Sequence, residues 1–255
     1  DEVLGRFVVP EGLFCYRVDR EHVLIGGALT DGGSVIEWAT DLLNLHDRCL
    51  FDKVMSEVGE LLNSDYANID RAPGSESRKS ISVSPFLSGE RSTGYREGAC
   101  FCMMGLTRES KAADFLKASM EGVILRLGKI LELIRINVED GKGGGPRLMA
   151  SGTGLERNGI WRQMLADCSG LEVELDTSVP EKTSFGCAML ALVAFETENK
   201  EGEDDSGSLY LGPYQELEPK GTPERSSPRL TFTEKYWVPA MEEQEKLIEG
   251  VSPLW

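Results

Sequence analysis

Two glycine-rich turns, residues 26–33 (GGALTDGG) and 152–154 (GTG), each stand just before a stretch with helical spacing. Glycine lets a ligand approach the backbone closely, and a helix N-terminus offers unpaired N–H donors at the positive end of its dipole. Two such corners suit an anion such as a phosphorylated ligand. Neither is a Walker A loop, since no GKS or GKT follows, and neither reads GxGxxG. On glycine content alone both read as ordinary tight turns, because glycine is common punctuation. Catalytic side chains are sparse. His22 and His46 are the only histidines and have no spaced partner, and GxSxG is absent. Glu90-Arg91 beside Gly89 would orient a substrate or brace a loop as an ion pair, and bracing is the commoner use of such a pair. Trp38 and Trp161 fall on apolar helix faces and read as core.

The formal net charge is −16, from 43 acidic and 27 basic residues. Such a chain is repelled by nucleic acid and by anionic lipid surfaces, so neither is an expected partner. An anionic ligand would have to be held by backbone N–H groups, helix N-termini and a metal ion. The acidic block at 196–205 (ETENKEGEDD) reads as a solvated loop. Six cysteines (Cys15, Cys49, Cys100, Cys102, Cys168, Cys187) form no CxxC pair, which argues against a zinc site. With no secretory signal at the start, a reducing cytoplasm is the expected setting. Apolar runs fall well short of the about 20 residues that cross a bilayer. The start at Asp1 rather than Met fits a fragment or a processed piece.

The elements that would carry these corners follow from periodicity. Residues 13–25 alternate as two short strands about an Asp19-Arg20 turn. Ser34 is placed to cap a helix with Val35, Ile36, Trp38, Ala39, Leu42 and Leu43 on its apolar face. A second helix is predicted over 51–62, a loop over 63–80, and strands over 81–87 and 99–106. The strongest helical pattern runs over 110–136, and a Gly/Pro connector follows at 140–146. Beyond it a strand (147–150), the 151–154 turn, a helix (158–168), a strand (171–175) and a small-residue helix (184–195) are predicted, the last able to pack closely on a sheet. Residues 199–255 read as an acidic, Pro/Gly-rich tail with a terminal helix near 240–249, beyond a domain over 1–198. The mixture predicts an α/β domain.

Several longer strings carry a resemblance. MASGTGLERNGIWRQMLAD (149–167), SFGCAMLAL (184–192), SPFLSGERSTGY (84–95), ASMEGVI (118–124) and GGALTDGGSVIEW (26–38) together resemble the C-terminal domain of the FGGY carbohydrate kinases, in the form met among gluconokinase-like and xylulokinase-like members. The resemblance implies an actin-like, ribonuclease H-like fold in which this chain is the second domain of a two-domain sugar kinase, with ATP and Mg²⁺ in the cleft. It implies that Gly33 and Glu37 lie beside the nucleotide, Gly33 near its phosphates. It places Thr153 and Gly154 by the adenosine part and gives Asn158 a hydrogen bond to the adenine edge, although Asn158 as a plain helix cap is the other reading. It also implies that no catalytic residue lies in this chain: the general-base Asp and most sugar contacts belong to an N-terminal kinase domain, the implied partner. A homodimer is compatible with this reading. Thr153 stands where the family carries glycine, and Cys100-Phe101 where it carries Arg-Gly. Both departures leave room for a homologue that binds nucleotide without turnover.

Overall fold

The computed structural model describes residues 8–18, 23–70, 81–135, 148–176, 182–199 and 223–255. The predicted Asp19-Arg20 turn, the 140–146 connector and the acidic stretch from residue 200 to 222 lie outside the described residues, as does 71–80 of the predicted loop.

The predicted hairpin forms, with β1 (Phe14–Arg17) antiparallel to β2 (Val23–Gly26). Helix α1 (Gly33–Leu42) follows. Its N-cap is Gly32, so Ser34 lies inside the first turn and not at the cap as predicted; its hydroxyl donates instead to Asp31 Oδ1 at 3.3 Å. Helix α2 (Arg48–Ala67) starts earlier than its apolar pattern suggested, because Asp47 caps it by accepting from Leu50 N–H at 2.9 Å, and it runs on past the predicted end to Ala67. Strands β3 (Ser82–Ser84) and β4 (Cys102–Met104) pair antiparallel and are shorter than predicted. Helix α3 (Ala112–Arg135) is central: α1, α2, α5 and α8 all pack on it. Strand β5 (Leu148–Ala150) leads into a short helix, α4 (Thr153–Arg157), and then α5 (Gly159–Ser169), which ends at Gly170 in the left-handed conformation (φ 66°). Strand β6 (Val173–Leu175) pairs parallel with β5, and β7 (Arg225–Ser226) pairs antiparallel with β6.

Helix α6 (Lys182–Asn199) forms as predicted but not in the predicted setting. Leu190 and Leu192 are exposed, and a side chain at Gly186 would meet nothing within 4 Å. None of its described side chains, at residues 182–192, is buried, so no stripe of them seats the helix on the sheet.

The stretch set apart by composition as a tail is folded into the core where it is described. After the short helix α7 (Leu230–Phe232) and a π-helical turn at Thr233–Trp237 comes α8 (Val238–Val251). Phe232 and Trp237 are fully buried in the same apolar cluster as Leu116, Met120 and Ile124 of α3. Gln244 of α8 donates to Val83 O at 2.7 Å and Gly122 O at 2.9 Å, which locks α8 to β3 and α3. A side chain at Gly122 would reach Val83 at 3.1 Å, so this glycine sets how closely α3 and β3 approach.

Because α3 is enclosed, its polar residues are paired inside the protein. Lys117 Nζ lies 2.6 Å from Glu121, 2.9 Å from Asp65 and 2.9 Å from the Tyr236 hydroxyl, which itself donates to Glu121 at 2.8 Å. Burial alone would lower the Lys117 pKa, but Glu121, Tyr236 and Asp65 outweigh it and hold the ammonium well above its ordinary value. Burial and then the Glu121 charge push the Tyr236 phenol up. Burial first, then Asp167 and Glu121, push the Cys168 thiol from 9.0 up to about 12. All three groups keep protons in the fold that the unfolded chain releases, so their stabilisation is present below the unfolded values and lost as pH rises. The melting midpoint is therefore expected to hold steady from pH 7 up to the ordinary thiol value of 9.0 and to fall progressively above it. Melting curves from pH 7 to 11 check this; a midpoint that climbs over the upper half of that range contradicts it.

Candidate functional site

The first predicted corner is built by the turn before α1. No side chain caps the α1 N-terminus, and a side chain at either Gly32 or Gly33 would meet nothing within 4 Å. The buried Asp31, one residue before the N-cap, accepts from the Ser34 hydroxyl of the first turn through Oδ1, and its other oxygen is engaged away from the helix. Its Oδ2 accepts from Leu87 N–H at 2.9 Å and Ser88 N–H at 2.8 Å. Ser92 completes the attachment: its N–H donates to Ala28 O at 3.1 Å and its hydroxyl accepts from Ala28 N–H at 2.9 Å. The glycine turn is thus fastened to residues 87–92, and the helix N-terminus is left open. Gly33 and Glu37 lie one turn apart on α1 and both face solvent.

The segment that fastens the turn is itself held by a buried ion network. Glu90, fully enclosed, accepts from Arg96 Nη1 at 2.7 Å, Arg126 Nη2 at 3.1 Å and Gly94 N–H at 3.1 Å. Arg126 reaches on to Thr93 Oγ1 and to Glu245 of α8. The predicted bracing role for Glu90 holds, but its partners are Arg126 and Arg96. Arg91 is exposed and, among the described residues, has no ion-pair partner.

The second corner is the bend between α4 and α5. Gly152 has φ 97°, a conformation that suits glycine. Thr153 and Gly154 are exposed, and a side chain at Gly154 would meet the Trp161 ring at 3.0 Å, so this glycine is needed for packing on that ring. Asn158 is the N-cap of α5 and accepts from Trp161 N–H at 3.0 Å through Oδ1. Its amide nitrogen remains the free end of the side chain for any further partner. Trp161 is core, as predicted, with its indole N–H donating to Met120 O at 3.2 Å. Trp38 is half-buried and packs on Phe101 (ring centroids 4.6 Å) and Phe115 (6.0 Å), so the Cys100-Phe101 departure serves an aromatic cluster.

The two corners stand on different helices, α1 and α5, that share α3 as their support. A cavity of about 180 Å³ lies elsewhere, between Val83, Gly122, Leu125, Tyr236 and Trp237, and includes none of the five predicted site residues. Asp31, Ser92 and Arg162 were not singled out by sequence reading. Asp31 stands inside the glycine turn and Arg162 inside WRQMLAD, but their distant partners, Leu87 and Glu224, lie 56 and 62 residues away, beyond any local signal.

Solved structures place this fold. The ligand-bound xylulose kinase from Lactobacillus acidophilus matches with a TM-score of 0.68 at 19% identity, covering 94% of this chain and 42% of that one. Plasmodium falciparum glycerol kinase with ADP matches with a TM-score of 0.62 at 19% identity, covering 93% and 42%. The chain therefore has the α/β architecture of the actin-like ATPase domains found in sugar kinases. Residues 10–195 match the model of the FGGY family of carbohydrate kinases, C-terminal domain, and the chain belongs to that family. The gluconokinase of Bacillus licheniformis is 28% identical over 182 residues, 71% of this chain and 34% of that protein. The xylulose kinase of Escherichia coli (strain K12) is 26% identical over 181 residues, 71% and 33%. The chain thus spans about a third of the length of these curated relatives. No helix among the described residues is long and apolar enough to cross a membrane.

Proposed function

We propose that this chain is the nucleotide-binding C-terminal half of an ATP-dependent carbohydrate kinase that transfers the γ-phosphoryl group to a hydroxyl of a sugar or sugar acid. The family match over 10–195 carries this reading. Relatives named gluconokinase and xylulose kinase support gluconate or a pentulose as the acceptor. ATP fits the first corner chemically: the α1 N-terminus is uncapped and unobstructed at Gly32 and Gly33, so its N–H groups are open to a phosphate. Gly33 would lie near the phosphates with Glu37 beside the nucleotide, and Thr153, Gly154 and Asn158 would face the adenosine. Mg²⁺ would arrive with the nucleotide and neutralise charge on the transferred group. Among the described residues no group of three or more His, Cys, Asp or Glu side chains could hold a metal ion, so none is assigned to it. An N-terminal kinase domain would be the partner that supplies the general-base Asp and the sugar contacts, in a cytoplasmic protein. One observation favours a second reading, a nucleotide-binding homologue without turnover: Thr153 adds an exposed side chain where the family carries glycine.

Phosphoryl transfer by the complete protein, measured as ADP release with gluconate, xylulose, ribulose and glycerol, tests the first reading. Turnover of gluconate or a pentulose is the expected result. ADP binding without turnover of any acceptor selects the second.

Gly33→Asp tests the phosphate position separately. An acid in the first helical turn is favourable to the helix by about 0.3–1 kcal/mol but repels a phosphate at the same place. Loss of ADP binding with an unchanged or higher melting midpoint is expected; retained ADP affinity would remove Gly33 from the nucleotide.

A further inference from the structure

We propose that Arg162 is a positioning residue for the adenosine end of the nucleotide site, held in place by Glu224 from outside the family-matched stretch. The proposal rests on the reading that puts Asn158 against adenine.

Arg162 is buried on α5, and its guanidinium divides between two tasks. Nη1 donates to Leu155 O and to Glu156 O, the latter at 2.9 Å. These are carbonyls of the last turn of α4, groups that a helix end leaves without intrahelical donors. Nη2 donates to the Glu224 carboxylate. Glu224 is in turn fixed by its backbone, since Leu175 N–H of β6 donates to Glu224 O at 2.9 Å. A continuous path therefore runs from β6 through Glu224 and Arg162 to the bend at 155–158.

That bend sets the direction of Asn158. Its backbone is extended (φ −124°, ψ 92°), and its Oδ1 is committed to Trp161 N–H. With one lone pair of the oxygen occupied, the amide NH₂ and the second lone pair are left for a base, and their direction follows from the angle between α4 and α5. Arg162 ties the two helices at that angle through the carbonyls three and two residues before Asn158. A ligand-facing group whose support shifts by even about 1 Å loses most of its orientational benefit. Arg162 touches no ligand itself.

The test uses the complete protein, with ADP and IDP as probes, binding read by calorimetry and folding by the melting midpoint. Arg162→Met is expected to weaken ADP by about tenfold, one hydrogen bond's worth, and to bring its affinity close to that for IDP. Arg162→Lys, which keeps one charged donor, is expected to recover part of the preference. Glu224→Ala, a change at a largely exposed carboxylate, is expected to move it in the same direction by about threefold. Asn158→Asp reports on the underlying reading, because aspartate caps α5 as well as asparagine but lacks the NH₂. If Asn158→Asp loses the ADP preference while both Arg162→Met and Glu224→Ala keep it, Arg162 has no positioning role and the adenine reading stands. If Asn158→Asp also keeps it, or the unaltered protein binds no ADP, the reading fails and the proposal fails with it. If Arg162→Met does not fold, Glu224→Ala decides, and an unchanged preference there overturns the proposal.

Discussion

Replacing Glu90 with alanine is expected to cost about 3–5 kcal/mol of folding stability, the loss typical when one member of a buried ion pair is removed. The carboxylate is inaccessible to water, and so is its partner Arg126. Without Glu90, Arg126 keeps, among the described residues, only Glu245 as a charged partner, at a side chain about a third exposed, and no acceptor for its buried Nε. Arg96, Thr93 and Gly94 lose their acceptor in the same step. The consequence extends to the first corner, because Ser92 and residues 87–88 fasten the glycine turn. A urea-denaturation comparison of the two proteins measures it. A loss below about 1 kcal/mol would mean that the network behaves like exposed ion pairs.

The other large effect is expected at Trp237. It has no solvent-exposed surface and packs edge-on against Phe232 and Tyr236, with ring centroids at 6.3 and 5.4 Å. Trp237→Ala should cost about 3–5 kcal/mol through lost burial and the cavity left behind. Trp237→Phe should cost clearly less, since among the described residues the indole N–H has no hydrogen-bond partner to lose. The same urea curves distinguish the two. Near-equal stability of Trp237→Ala and the unaltered protein would mean that the segment after residue 222 is not part of the cooperative unit.

That segment marks where the sequence stopped being legible. The long helix at 112–135 could be read because its apolar residues recur at helical spacing over about six turns, its other enclosed positions being glycines and polar residues paired inside the protein, and α5 because Asn158 and Gly170 punctuate its ends. The hairpin followed from alternation. Phe232, Trp237 and Ile248 gave no comparable signal: each lies in a short, Pro-bearing or charged context, and distant partners (the α3 core for Phe232 and Trp237, Phe86 and Ala99 for Ile248) make them core. Asp167 shows the same principle at the site. It reads as the end of WRQMLAD, yet its fully buried carboxylate receives the Arg229 backbone N–H and guanidinium Nε, both at 2.9 Å. A pairing 62 residues away has no local trace. The five site residues could be proposed from motif strings, but what fixes their positions (Asp31, Ser92, Arg162) emerged only from contacts across the fold.

The crossing of α3 and α5 also gives this protein an internal clock. A side chain at Gly128 would meet Cys168 Sγ at 2.7 Å and Met241 Sδ at 3.1 Å, so the thiol is sealed in a sulfur-lined crevice that only glycine permits. The other five cysteines are exposed or half-exposed and will consume a thiol reagent at once. The sixth can react only when the helices part, and the rate of that last, slow modification reads how often the core opens under native conditions.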